Sequence, residues 1–97
     1  MDERVVLNGI SFVWDQAKAQ ANLKKHGIAF EQAAEAFFDP FLRVMDASSK
    51  TQVRDAIIGM DSRWNLLFVV YVAFEDESIR LISARQSTRR ERQLYEG

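Results

Sequence analysis

The chain has no cysteine, a single histidine, a single proline and four glycines. Without cysteine there are no disulfides, no zinc–thiolate sites and no thiol nucleophile. One histidine with no clustered acids around it is not a metal-ligand set. The longest apolar run, Leu66 to Phe74, is too short for a membrane helix. Charge of either sign is not in excess: 13 Lys plus Arg stand against 14 Asp plus Glu, a net charge of −1. Such a balance supplies no global field for nucleic acid, so that role needs a local basic patch. The opening Met1-Asp2-Glu3-Arg4 lacks the basic start and apolar run of a signal peptide, and a cytoplasmic chain is expected. No linker, repeat, low-complexity segment or Gly-rich phosphate loop breaks the sequence.

What remains is 97 residues, 47% hydrophobic and 28% charged. That composition and length describe one globular domain over residues 1–97, with a single core. Asn8-Gly9 separates Val5-Val6-Leu7 from Ile10-Ser11-Phe12-Val13-Trp14 and predicts a two-residue hairpin. Asp15 then caps a helix running to His26, with Gly27 as its stop. Phe30, Ala33, Ala34, Phe37 and Phe38 recur at the spacing of one buried helical stripe, which Asp39-Pro40 ends. Ala29, at the start of this helix, offers no capping oxygen. Strands follow: Phe41 to Met45 as an edge, Val53 to Ile58 stopped by Gly59, Leu66 to Phe74 as a central strand covered on both faces, and Ile79 to Arg85. Thr88-Arg89-Arg90-Glu91 is a capping box for a last helix to about Glu96. The order is ββααββββα, an α+β fold with a mainly antiparallel sheet and helices packed on it.

Two sets of residues can carry chemistry. Lys18, Asn22, Lys25 and His26 fall at i, i+4, i+7 and i+8 and share one helical stripe. An ammonium, an amide and an imidazole in a row suit holding a phosphate and moving a proton. A solvated face whose last turn complements the helix dipole explains the same residues. His26 is the one side chain that ordinarily titrates near neutrality, and so the natural general acid or base.

The second set is Arg80, Arg85, Arg89, Arg90 and Arg92, accompanied by one acid, Glu91. Residues 1–40 carry six acids against four Lys or Arg, so the balanced charge is an average over unlike parts. Arginine forks match phosphates and stack on bases. Pairs such as Arg92 with Glu96, or contacts to a protein partner, are the alternative. On an ideal strand Arg80 and Arg85 point to opposite faces, unless a bulge intervenes. Arg54 alternates with Ala56 and Ile58 and stands beside Arg80 if register allows. Trp64 fits the rim of the core, an interface or a base-stacking position.

Phe12-Val13-Trp14-Asp15, Lys18, Asn22, Lys25-His26-Gly27, Phe30-Glu31 and Ala34 resemble the N-terminal pattern of BrnT toxins. Arg54 and Gly59 fit the middle of that pattern. Arg80-Leu81-Ile82-Ser83-Ala84-Arg85, then Arg89-Arg90-Glu91-Arg92 and Tyr95, resemble its end. The resemblance implies a RelE-like fold and a metal-independent endoribonuclease toxin of a bacterial type II toxin–antitoxin pair, needing no cofactor. It implies a BrnA-like ribbon-helix-helix antitoxin as partner, which alone touches operator DNA, and RNA as substrate. On this reading His26 is the acid or base with Lys25 as electrostatic helper. Arg54, Arg80 and Arg85 hold the phosphate or the transition state, while Lys18, Asn22, Arg89 and Arg90 contact RNA. Two departures stand out. Met60 and Asp61 follow Gly59 where the family carries a basic residue, and Ala29 replaces a capping serine. The first motivates an alternative, a toxin-like module that binds the antitoxin as co-repressor without cleaving.

Overall fold

A computed structural model describes residues 1–97. The elements are β1 (Asp2–Leu7), β2 (Ile10–Asp15), α1 (Gln16–His26), α2 (Phe30–Glu35) continued by a 3-10 turn (Ala36–Phe38), β3 (Arg43–Asp46), β4 (Asp55–Met60), β5 (Leu66–Ala73), β6 (Ile79–Gln86) and α3 (Arg89–Glu96). This is the expected order. The six strands form one sheet in the order β1-β2-β6-β5-β4-β3. All pairs are antiparallel except β2 with β6, a short parallel contact of Phe12 with Ile79 and Val13 with Arg80.

Local chemistry sets each boundary. Asn8 and Gly9 both take positive φ, 50° and 81°, as a type I′ hairpin requires. The Asp15 side chain accepts the Lys18 N–H at 3.0 Å and starts α1. Gly27 ends it, donating its N–H to the Leu23 carbonyl at 2.8 Å. The stripe of α2 and the 3-10 turn packs on β2: Phe30 meets Trp14 edge-on at 5.9 Å, and Phe12 meets Phe37 at 5.3 Å. Phe12, Trp14 and Phe30 are fully buried, each contributing about 2–3 kcal/mol of hydrophobic stabilisation. Gly59 does not stop its strand. It lies inside β4, where a Cβ would stand 2.5 Å from the Ala36 carbonyl oxygen. Its missing side chain lets the 3-10 turn lie directly on the sheet.

Two expectations change. The central strand β5 is not covered equally on both faces. Leu67, Val69 and Tyr71 point into the core, whereas Phe68, Val70 and Val72 are only half-buried, so the far face of the sheet is partly open. The polar stripe of α1 is solvated only in part, at Lys18 and Lys25. Ala17, Ala21 and Leu23 are exposed, whereas Asn22 is buried and Ala19 and His26 are partly so.

Asn22 explains this inversion. β2 accompanies β6 only as far as Arg80, which leaves the backbone of Ala84 without a strand partner on that side. The Asn22 amide carries the same donor and acceptor as a peptide group and takes that place. Its Oδ1 accepts the Ala84 N–H at 3.0 Å, and its Nδ2 donates to the Ala84 carbonyl at 2.8 Å. Nδ2 also donates to the Ile28 carbonyl at 2.9 Å, which fixes the link between α1 and α2. The assignment of Asn22 to RNA is therefore corrected: its amide is spent inside the fold.

Replacing Asn22 by Ala leaves two carbonyls and one N–H unpaired in a buried place, and should destabilise the fold by about 3 kcal/mol. Thermal melting should fall by about 10–20 °C; a drop of only two or three degrees would refute the clamp. In the opposite direction, Ala29 occupies the N-cap of α2 with no side-chain acceptor. Ala29→Ser should stabilise by about 1 kcal/mol, measured as a higher midpoint in urea.

Candidate nucleic-acid interface

The pairing of β5 with β6 contains one irregularity. Val70 faces Ser83 and Tyr71 faces Leu81, so Ile82 is an extra residue in β6. A bulge of one residue reverses the alternation beyond it. Leu81 and Ala84, three residues apart, accordingly both enter the core. Arg80 lies before the bulge and Arg85 beyond it, so both face the open side of the sheet. Parity places Arg54 on that face too, with Ala56 and Ile58, which are fully buried where α3 lies against β4. Ala56 faces Val70 and Val72 faces Arg80, so Arg54, one step beyond β4, stands level with Val72. Two strand spacings, about 10 Å, separate it from Arg80.

Arg80 lines a cleft of about 660 Å³ with Arg4 and Val13, whose walls also carry the acids Asp2, Glu3, Glu75 and Asp76. Its guanidinium donates to both oxygens of Asp2, at 2.6 and 3.3 Å. This hydrogen bond holds the Asp2 carboxyl below its usual range and pushes Arg80 further up. A carboxylate thus occupies the fork that would fit a phosphate. Arg4, absent from the sequence expectations, joins the site because β1 sets it beside Val13. The Asn8-Gly9 turn already implied that register, but the parallel contact that brings β2 to Arg80 left no local signal.

Arg85 plays a different part. Its two terminal nitrogens donate to the two oxygens of Glu91, both at 2.8 Å, and its guanidinium lies 4.4 Å from the centre of the Phe68 ring. Glu91 also accepts the Thr88 N–H at 2.9 Å, while Thr88 accepts the Glu91 N–H at 3.2 Å, completing the capping box. The Arg85 hydrogen bonds hold the Glu91 carboxyl below its ordinary range. Arg85 therefore fastens α3 to the sheet, and Arg89 and Arg90 stand exposed on that helix. Arg92 and Glu96 form no ion pair. The other end of α3 is held by the Tyr95 hydroxyl, which donates to Asp39 at 2.6 Å. Burial, followed by that hydrogen bond, raises Tyr95 to about 12.

The helix residues divide. Lys18 and Lys25 are exposed, and His26 is half-buried at the end of α1. They lie on the core side of β6, across the strand from Arg80 and Arg85, and none of the principal clefts is lined by His26. Through Asn22, however, the last turns of α1 are tied to Ala84, the neighbour of Arg85. The two sets therefore share the edge of β6 rather than one cleft. No group of three or more His, Asp or Glu side chains stands close enough to hold a metal ion.

Residues 14–91 match the family described as the ribonuclease toxin, BrnT, of type II toxin–antitoxin systems. The crystal structure of the ribonuclease toxin BrnT of Brucella abortus superimposes with a TM-score of 0.57 at 25% identity, covering 78% of this chain and 94% of that one. Curated proteins give no sequence match. With its six-stranded mixed sheet, its arginine-lined open face and a family match over most of its length, the chain belongs to the BrnT ribonuclease toxins of type II toxin–antitoxin systems.

Proposed function

We propose that the chain cleaves RNA internally by metal-independent chemistry along β6, in the cytoplasm, and that a BrnA-like ribbon-helix-helix antitoxin silences it. The supporting observation is the bulge at Ile82, which turns Arg80 and Arg85 to one open sheet face with Arg54. In this reading Arg54 and Arg80 bind successive phosphates, with Arg4 beside them. Exposed Arg89 and Arg90 on α3, and Lys18 on α1, extend the contact. Operator DNA is reached only through the antitoxin.

Cleavage needs a 2′-oxygen to attack the adjacent phosphorus, forming one O–P bond as the bond to the 5′-oxygen breaks. His26 takes the 2′-hydroxyl proton, and the departing 5′-oxygen takes a proton from solvent. Charge accumulates on the phosphate oxygens, where Lys25, beside His26, offsets it, while Arg80 across the strand holds a neighbouring phosphate. Arg85, engaged by Glu91, acts by holding α3 in place. The residues after Gly59 do not contribute a cation. Met60 donates its N–H to Asp39 at 2.8 Å, and Asp61 is buried in the β4–β5 turn.

Purified chain, free of antitoxin, should cut RNA in the presence of EDTA. No cutting across several RNAs would leave it a binding module and co-repressor. Arg80→Ala should weaken RNA binding about tenfold, while Asp2→Asn, which frees the Arg80 fork, should tighten it. His26→Ala should lower the rate by about a hundredfold or more with melting unchanged. Full cleavage by that variant would remove the imidazole from the mechanism.

A further inference from the structure

The β4–β5 turn carries the most exposed large aromatic side chain of the protein. Trp64 is 82% exposed, whereas the other tryptophan, Trp14, is fully buried. Trp64 also has φ of +67°, a backbone conformation that side-chain-bearing residues avoid. The turn that imposes it is firmly held. Buried Asp61 accepts the N–H groups of Arg63 and Asn65 and the side-chain amides of Asn65 and Gln32, while Glu35 accepts both the N–H and the hydroxyl of Ser62. A rigid turn thus presents an indole to solvent.

That indole walls a cavity of about 380 Å³, together with Leu7, Phe38 and Met60. Glu35, Asp39 and Asp61 also line it, and no Lys or Arg takes part. None of these three acids is in an ion pair; their partners are neutral N–H and O–H groups. Burial raises the carboxyls of Asp39 and Asp61, but those hydrogen bonds outweigh it and keep both below the usual range. The cavity is therefore lined by apolar side chains and by three carboxylates, of which Asp61 is buried and Glu35 and Asp39 are half-buried. The nearest cation in sequence, Arg63, lines a different cleft beside Glu31 and Glu35. Pro40 is shared with a further cleft, beside which Phe41 is 73% exposed, so the apolar surface continues.

With acids and no Lys or Arg in its lining, the cavity offers a phosphate no partner. A peptide with an apolar anchor next to a Lys or Arg is complementary to it: the anchor fills the cavity, and the cation meets the carboxylates and the indole face. We propose that this cavity is a docking site for the antitoxin, taking a short segment of that composition against Trp64. It depends on the family assignment and not on the RNA chemistry proposed above.

Trp64→Gly is the informative variant, because glycine accepts the positive φ and the fold does not lose stability with the indole. Affinity of the purified chain for its cognate antitoxin, measured by calorimetry, should weaken at least tenfold, with melting not lowered and RNA cleavage unchanged. In the wild-type complex the Trp64 fluorescence should shift to shorter wavelength and resist quenching by acrylamide. Affinity within twofold of wild type, or an indole that stays fully quenchable in the complex, would overturn the proposal. So would weakened RNA binding with antitoxin affinity intact, which would assign the cavity to a nucleobase.

Discussion

The fold depends on one side-chain amide that behaves as a piece of strand. β2 and β6 run side by side for only two residue pairs, and beyond them the edge of β6 would carry unpaired backbone groups beneath α1. Asn22 supplies the missing pair and at the same time binds the carbonyl that follows α1. A buried amide gives three directed hydrogen bonds where an aliphatic side chain would give contact alone. The docking of α1, the link to α2 and the position of Lys25 and His26 at the edge of β6 all follow from it.

Charge is organised by separation. The far face of the sheet collects Arg4, Arg54, Arg80 and Arg85, two of which are already engaged by Asp2 and Glu91. The turn region around Trp64 collects acids whose partners are all neutral. A net charge near zero therefore coexists with a sheet face where arginines and acids mix and a turn cavity lined by acids without Lys or Arg. The two kinds of ion pair also differ in role. The two arginines are about equally exposed, but Glu91 is shielded and fixes a helix, whereas Asp2 is half-exposed and more readily exchanged for another anion.

Much of the element order was legible because local signals are strong. Asn8-Gly9, the Asp15 cap, the Phe30-to-Phe38 stripe and the Thr88–Glu91 box each act within a few residues, and each appears where expected. The errors have one physical origin. A helical wheel counts polar residues as solvent-facing, yet Asn22 is buried because a distant strand needs its amide. Apolar continuity marked β5 as covered on both faces, although Val70 and Val72 floor an open face. Gly59 reads as a strand end, but it admits the backbone of Ala36.

The same division applies to the site. By itself the sequence determined the residue types available for chemistry, one imidazole and a concentrated set of arginines without thiols, and the motif order that marks the family. It also determined the local caps and turns, because those interactions span three or four residues. The tertiary structure alone decided which of these side chains face one another. The bulge at Ile82 reversed the parity that would have set Arg80 against Arg85, and the parallel β2–β6 contact brought Arg4 to them. Packing on Ala84 withdrew Asn22 from solvent, and the β4–β5 turn left Trp64 in it. Register, bulges and edge pairing couple residues far apart in the chain, and no short-range pattern encodes them.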